Sequence, residues 1–286
     1  MTEATEMIKM GQMSFLRSRR ERLRPEQVGL PSHGRRRTPG LRREELAALA
    51  GVSVEYVERL ERGRDTNPSH AVLAALADAL QLSDEEKQYL AALAMKRHSS
   101  ALLPPPHPVS DDTRPTVRTL LANLGPMPAS VFGPICNVVA WNSAWEATVR
   151  PLGLLDEESP NLLRYHFLHP MSRRILTESE WAAKADQVVG WLRAAQPDWG
   201  GDHEFRTLLD DLSGVAEFTS RWAAHPVACQ RPSGASFSHP VAGIMNVTTE
   251  VLHVGEAGQW LQMWLAADEA TASAIASLCA RRPSTP

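Results

Sequence analysis

The chain has 286 residues, 43% of them hydrophobic, and a formal net charge of −3. At roughly 100–200 residues per domain, two domains are expected. No run of apolar residues is long enough to span a bilayer. Cys136, Cys229 and Cys279 stand too far apart to suggest a disulfide framework or a thiolate metal site. Glu3, Glu6 and Lys9 interrupt any signal-peptide layout, so a cytoplasmic protein is expected.

The charge is unevenly spread. Residues 1–98 hold 17 Lys/Arg against 14 Asp/Glu, and residues 99–286 hold 13 against 19. Within residues 17–43, ten arginines face only Glu21 and Glu26. A basic run of this density is a candidate footprint for a polyanion.

In chain order, residues 13–22 read as a first helix with Phe15 and Leu16 turned inward. Pro25, Gly29, Pro31, Gly34, Pro39 and Gly40 mark residues 25–40 as a loop. Residues 41–50 and 54–61 read as two short helices around a tight turn. Gly51 supplies the left-handed residue that ends the first, and Ser53 caps the second. Val54, Val57 and Leu60 form the buried stripe, leaving Glu55, Tyr56 and Arg59 outward, a layout that fits a DNA major groove. Asn67-Pro68 is expected to cap a fourth helix carrying Leu73, Leu76 and Leu80. Ser83 and Glu86 form a capping box for a fifth that buries Leu90 and Leu93.

Residues 99–110 contain four prolines and read as a semi-rigid linker. Beyond them the character changes, and all eight tryptophans lie past residue 140. Residues 117–124 read as a helix, and 129–132 with 136–141 as a hairpin around Gly133-Pro134. Amphipathic helical windows follow around Trp145 and over 162–167, 181–192, 205–212 and 218–222. Strands are expected at 228–231, 242–254 and 260–265, and a last helix over 269–279. Ser213-Gly214 and Ser233-Gly234 read as turns. This order predicts an antiparallel sheet with helices over one face, an α+β layer fold, behind an all-α domain of five helices. The expected division is 1–98, a linker at 99–112, and 113–282.

Leu46-Ala47, Gly51, Leu60-Glu61 and Gly63-Arg64 resemble the helix-turn-helix of the Xre/Cro class of repressors. That resemblance places Val54, Glu55 and Arg59 at base-reading positions. Arg59 suits guanine O6/N7, Glu55 suits cytosine N4 and Val54 suits a thymine methyl. It places Arg43, Ser53, Tyr56 and Arg64 against phosphate, with Arg42 a further candidate. Arg35, Arg36 and Arg37 on the preceding loop are candidates for phosphate or minor-groove contact. Such a protein is expected to bind double-stranded DNA as a homodimer on a two-fold operator.

Gly34-Arg-Arg-Arg-Thr-Pro-Gly-Leu-Arg-Arg-Glu-Glu-Leu46, Arg64-Asp-Thr-Asn-Pro68 and Asn161-Leu-Leu-Arg-Tyr-His-Phe-Leu-His-Pro170 are similar to the MmyB-like transcription regulators. So are Arg221-Trp-Ala-Ala-His225 and Phe237-Ser-His-Pro-Val241. The resemblance implies an Xre head and a PAS-like C-terminal sensor domain that takes a small hydrophobic, fatty-acid-like ligand and no other cofactor. Gly234-Ala235 and His169 depart from the family's usual pattern.

Trp141, Trp145, Tyr165, Phe167, Trp222 and Trp264 are the aromatic candidates for lining a ligand site, and also suit a core. Arg164, His169, His225 and Arg231 are candidate partners for an anionic headgroup, because a carboxylate in an apolar cavity needs a donor or charge. His166 and His169 stand three apart, but without a further ligand they read as satisfied or surface histidines rather than a metal site. No nucleophile elbow, phosphate-cradling glycine loop or zinc hydrolase motif is present, so no catalytic residue is assigned and no enzyme is expected. An alternative role for the C-terminal domain is protein interaction or dimerisation.

Overall fold

The computed structural model describes residues 15–31, 40–62, 68–99, 109, 112–255 and 258–281. The helix α1 covers 15–22, followed by α2 (Arg43–Ala50), α3 (Val54–Glu61), α4 (His70–Ala79) and α5 (Asp84–Ser99). Gly51 adopts φ 65 and sends its N–H back to the Ala47 carbonyl, which terminates α2. The Ser53 hydroxyl accepts from the Tyr56 N–H at 3.1 Å and starts α3. Phe15, Leu46, Ala47, Val57, Leu60, Leu76, Leu80 and Tyr89 close one core, with the Phe15 and Tyr89 rings edge to face at 5.0 Å.

The cap of α4 is Ser69, whose hydroxyl accepts from Val72 N–H at 3.3 Å, and Pro68 precedes that cap rather than opening the helix. Asn67 lies outside the described residues. The Ser83–Glu86 capping box forms in both directions, at 3.0 and 3.3 Å. The loop after α1 contains a 3-10 turn at Pro25–Val28. The proline-rich stretch lies almost wholly outside the described residues.

The second half holds α6 (Pro115–Asn123), β1 (Ala129–Phe132), β2 (Val138–Trp141), α7 (Ser143–Val149), α8 (Leu162–Leu168), α9 (Met171–Arg174) and α10 (Glu178–Trp199). Then come α11 (His203–Leu212), α12 (Ala216–Ala223), β3 (Ser233–His239), β4 (Gly243–Val254), β5 (Gln259–Ala266) and α13 (Glu269–Ala280). The five strands form one antiparallel sheet in the order β2-β1-β5-β4-β3.

Alternation along the strands separates two faces. Phe132 and Trp260 stack at 5.5 Å on the inner face, within the main core that α7, α8, α10, α11 and α12 complete. Their chain neighbours Val131 and Leu261, opposite each other in the register, face the other way and pack with Val117 and Leu121 of α6. The sheet is therefore covered on both sides at its β1–β5 end, which corrects the expectation of helices on one face alone.

Two further local expectations are corrected. Residues 228–231 form no strand; they are a strap whose backbone binds helix α10, Ala228 N–H donating to the Gly190 carbonyl (3.3 Å) and the Cys229 carbonyl accepting from Trp191 Nε1 (3.2 Å). Ser233-Gly234 opens β3 instead of turning, with Ser233 opposite Thr249 and Gly234 opposite Thr248. Among the described residues no helix is long and apolar enough to cross a membrane.

Candidate nucleic-acid interface and ligand cavity

Helix α3 buries Val57, Leu60 and Glu61 and leaves Glu55 and Arg59 exposed, with Val54 and Tyr56 half-buried. The Arg59 guanidinium carbon lies 5.3 Å from the Tyr56 ring centre, a cation–π contact on the outward face. Glu61 is the ionic centre of this domain. Its carboxylate takes Arg20 Nε at 2.6 Å and Nη2 at 3.2 Å, and Arg43 Nε at 2.7 Å. Arg43 therefore has a structural duty that the sequence did not disclose, while 37% of its side chain remains open to solvent. Arg42 is exposed, its N–H capped by Glu45 at 2.7 Å. Arg35, Arg36, Arg37 and Arg64 lie outside the described residues.

In the second half, α8, α9 and α10 stand across from the inner face of β3, β4 and β5 and leave a cavity of about 640 Å³. That volume falls within the range of small-molecule sites. Leu152, Leu154, Leu162, Ile175, Leu176, Val188, Phe237 and Val247 make most of its wall. Its polar groups include Tyr165, Lys184, Gln187, Ser233, Thr249 and Gln262. The Tyr165 hydroxyl donates to the Leu152 carbonyl at 2.9 Å, and burial pushes its pKa up.

Local chemistry fixes these walls. Asn161 caps α8 through its Oδ1, which accepts from Leu163 and Arg164 N–H at 2.9 and 3.2 Å. Its amide donates to the Ile135 carbonyl at 2.8 Å, tying α8 to the hairpin turn. His166 stacks on Trp181 at 4.6 Å and pairs Nε2 with the Trp181 carbonyl at 3.1 Å; burial holds its pKa down to about 4. His239 pairs Nε2 with the Thr148 carbonyl at 3.0 Å and accepts Val241 and Ala242 N–H at Nδ1, so its motif sets the β3–β4 corner beside Phe237.

Of the ligand candidates named from sequence, Tyr165 and Trp264 line this cavity. Trp145 is fully buried against Phe132 at 6.3 Å, Trp141 lies at the β2 edge with 36% exposure, and Phe167 packs on Trp181 and Phe218. Trp222 stacks on Phe218 at 5.8 Å and under Arg193 at 3.5 Å. The four cation candidates are engaged elsewhere. Arg164 pairs with Asp211 (2.7 Å), His169 approaches Asp156 (3.6 Å), and Arg231 pairs with Glu85 (2.8 Å). His225 is buried at the junction of the two halves, its carbonyl accepting from Arg19. Lys184 and Gln187 line the cavity without having been singled out. Lys184 shares a helical stripe with Trp181, Val188 and Trp191, and that spacing was the available signal. His166 and His169 diverge, and among the described residues no cluster of three metal-ligating side chains occurs.

The two halves meet through side chains of both. Tyr89 Oη lies 3.2 Å from Gln196 Oε1, Arg19 pairs with Glu86 at 2.8 Å and donates to the His225 carbonyl, and Val227 packs against the N-terminal core.

A helix-turn-helix domain joined to a cavity-bearing α+β domain defines a DNA-binding transcription regulator with a ligand-binding domain. Residues 14–90 match a helix-turn-helix domain, and residues 113–278 match the MmyB-like transcription regulator ligand binding domain. The chain belongs to the MmyB-like transcription regulators. No match to an individual curated protein accompanies these.

Proposed function

We propose that this chain is a sequence-specific transcription regulator of the cytoplasm, not an enzyme, whose grip on DNA is set by a small hydrophobic, fatty-acid-like ligand. The observation that carries this reading is the largely aliphatic cavity and its position on α10. Glu180, Ala183, Lys184, Gln187 and Val188 of that helix line the cavity, while Gln196, further along, accepts from Tyr89 of the helix-turn-helix half and from Arg193. A ligand that fits the cavity better in one arrangement of α10 than in another shifts the population of DNA-competent molecules.

On the DNA side the reading assigns Val54, Glu55 and Arg59 to bases. Arg35, Arg36, Arg37, Arg42, Arg43, Ser53, Tyr56 and Arg64 are assigned to phosphate. It takes the chain as a homodimer on a two-fold operator, with half-sites about 34–36 Å apart or a multiple. The working division is 1–98 for the head, 99–112 for the linker and 113–282 for the sensor, which we describe as PAS-like.

A second reading makes the C-terminal domain chiefly a protein-interaction or dimerisation module. Ile244, Leu252 and Leu265, each exposed on the outer sheet face, favour it. Titrating the full chain with saturated fatty acids, followed by tryptophan fluorescence, separates the two. Ligand sensing predicts affinity that climbs by about 0.8 kcal/mol per added CH₂ until the cavity fills. No binding across the series contradicts it and favours the second reading.

A further inference from the structure

Lys184 occupies a position on α10 where an amphipathic helix ordinarily carries an apolar residue. Trp181, Ala185, Val188 and Leu192 are buried along this helix, and Lys184 falls in the same stripe, three residues after Trp181 and four before Val188. Its side chain is thereby turned under the sheet. Nζ lies 4.9 Å from the ring centre of Trp191, itself 2% exposed, and 2.8 Å from Gln187 Oε1. Both Lys184 and Gln187 line the cavity.

An ammonium half-buried against an apolar wall ordinarily takes an anionic partner. Among the described residues no carboxylate is paired with Lys184. Glu180, one turn earlier and also at the cavity, turns its carboxylate back on Thr177, at 2.6 Å from the hydroxyl and 2.9 Å from the N–H. Burial lowers the Lys184 pKa to about 8, with the thiol of Cys136 the nearby group that opposes the shift. The other cationic candidates of this domain are already engaged by Asp211, Asp156 and Glu85.

We infer that Lys184 is the headgroup anchor of the cavity, and that the acid group of the fatty-acid-like ligand meets Nζ of Lys184 beside the Gln187 amide. The inference rests on the reading of this cavity as the ligand site. A Gln187 amide that accepts from the ammonium presents its NH₂ to the same headgroup. The aliphatic remainder of the cavity, from Leu152 and Leu154 to Ile175 and Leu176, then takes the chain.

Decanoate and decan-1-ol, matched in chain and differing in charge, test this with the full chain at pH 7 by isothermal titration. The wild type binds decanoate about 10-fold or more tightly than decanol, the ratio that a charge-assisted contact provides. In Lys184→Met the preference collapses or reverses while decanol affinity is retained, which also reports an intact fold. Lys184→Arg keeps the preference. Lys184→Gln serves in the same role should the methionine variant fail to fold. Equal affinities in the wild type, or an unchanged preference in Lys184→Met, overturn the assignment of Lys184 while leaving the cavity as an apolar ligand site. Failure of both probes to bind the wild type overturns the ligand-site reading and this inference with it.

Discussion

The Tyr89 hydroxyl of α5 donates to Oε1 of Gln196 on α10 across 3.2 Å, joining the helix-turn-helix half to the ligand-binding half. The same oxygen accepts Arg193 Nη1 at 3.1 Å, and Arg193 in turn donates to the Trp222 carbonyl from above the Trp222 ring. Nearby, the buried Arg19 of α1 donates to the His225 carbonyl. Helix α10 thus runs from the cavity wall to the contact with the DNA-binding half. Buried polar networks of this kind hold few arrangements, because each partly broken one leaves a costly unpaired group.

Tyr89→Phe removes one bond of that network and little volume. The variant is expected to lose about 1 kcal/mol of stability and to bind DNA and ligand separately much as before. The change in DNA affinity on adding decanoate should shrink. Measuring DNA affinity with and without decanoate in both proteins checks this, and an undiminished change in the variant removes Tyr89 from the coupling.

Gly190→Ala tests the packing of the strap at 228–231. A methyl group at Gly190 would stand 2.8 Å from Ala228 Cβ and 3.0 Å from its backbone nitrogen. Alanine favours a helix over glycine by about 1 kcal/mol, but overpacking here costs about 1–3 kcal/mol. Because backbone must move, net destabilisation is expected, read as a lower urea midpoint at constant slope. A raised midpoint would show that the strap yields freely.

At the DNA face, Arg59→Ala should lose about 1–3 kcal/mol of discrimination at one base pair, whereas Arg42→Ala should weaken all sequences alike and flatten the salt dependence. Binding assays on selected and random duplexes distinguish these. Equal loss on both duplexes for both variants contradicts the division into base and phosphate contacts.

Stability should fall on acidification below neutrality. Burial holds His166 down to about 4 and His225 down to about 3, the latter helped by Arg193 and Arg19, and lowers His239. Unfolded histidines titrate near 6.5, so between those values and about 6.5 the unfolded chain binds more protons and unfolding becomes easier as pH drops. His166 alone accounts for a contribution on the order of 3 kcal/mol that is present above pH 6.5 and lost toward pH 4. Urea midpoints at pH 7 and pH 5 check this; a flat profile contradicts the buried neutral state.

What the sequence disclosed was what local chemistry decides. Gly51, Ser53 and the Ser83–Glu86 pair mark helix ends through their own backbone bonds, and α3 appears at the expected residues. The hairpin of β1 and β2 was legible from Gly133-Pro134 and the flanking apolar runs. Ser69 in place of Asn67 as the α4 cap is a competition between neighbouring cap formers that composition does not resolve. Residues 228–231, Ala-Cys-Gln-Arg, read as a short strand, but their partner is α10 rather than another strand, a contact between segments 38 residues apart for Trp191 and Cys229. The cavity was less legible still. Trp145 and Trp222 have the side chains of a binding site and are taken up by the core. Lys184, on an otherwise apolar stripe, reads as solvated until the sheet is placed over it.

The most direct test of ligand control is the DNA affinity of the full chain, measured on a duplex selected by the protein itself, across a titration of decanoate. Coupling between the cavity and the DNA face predicts a shift of about 5- to 150-fold at saturation, with a reciprocal shift of the same size in decanoate affinity when DNA is present. Decanoate that binds while DNA affinity stays unchanged would contradict ligand control.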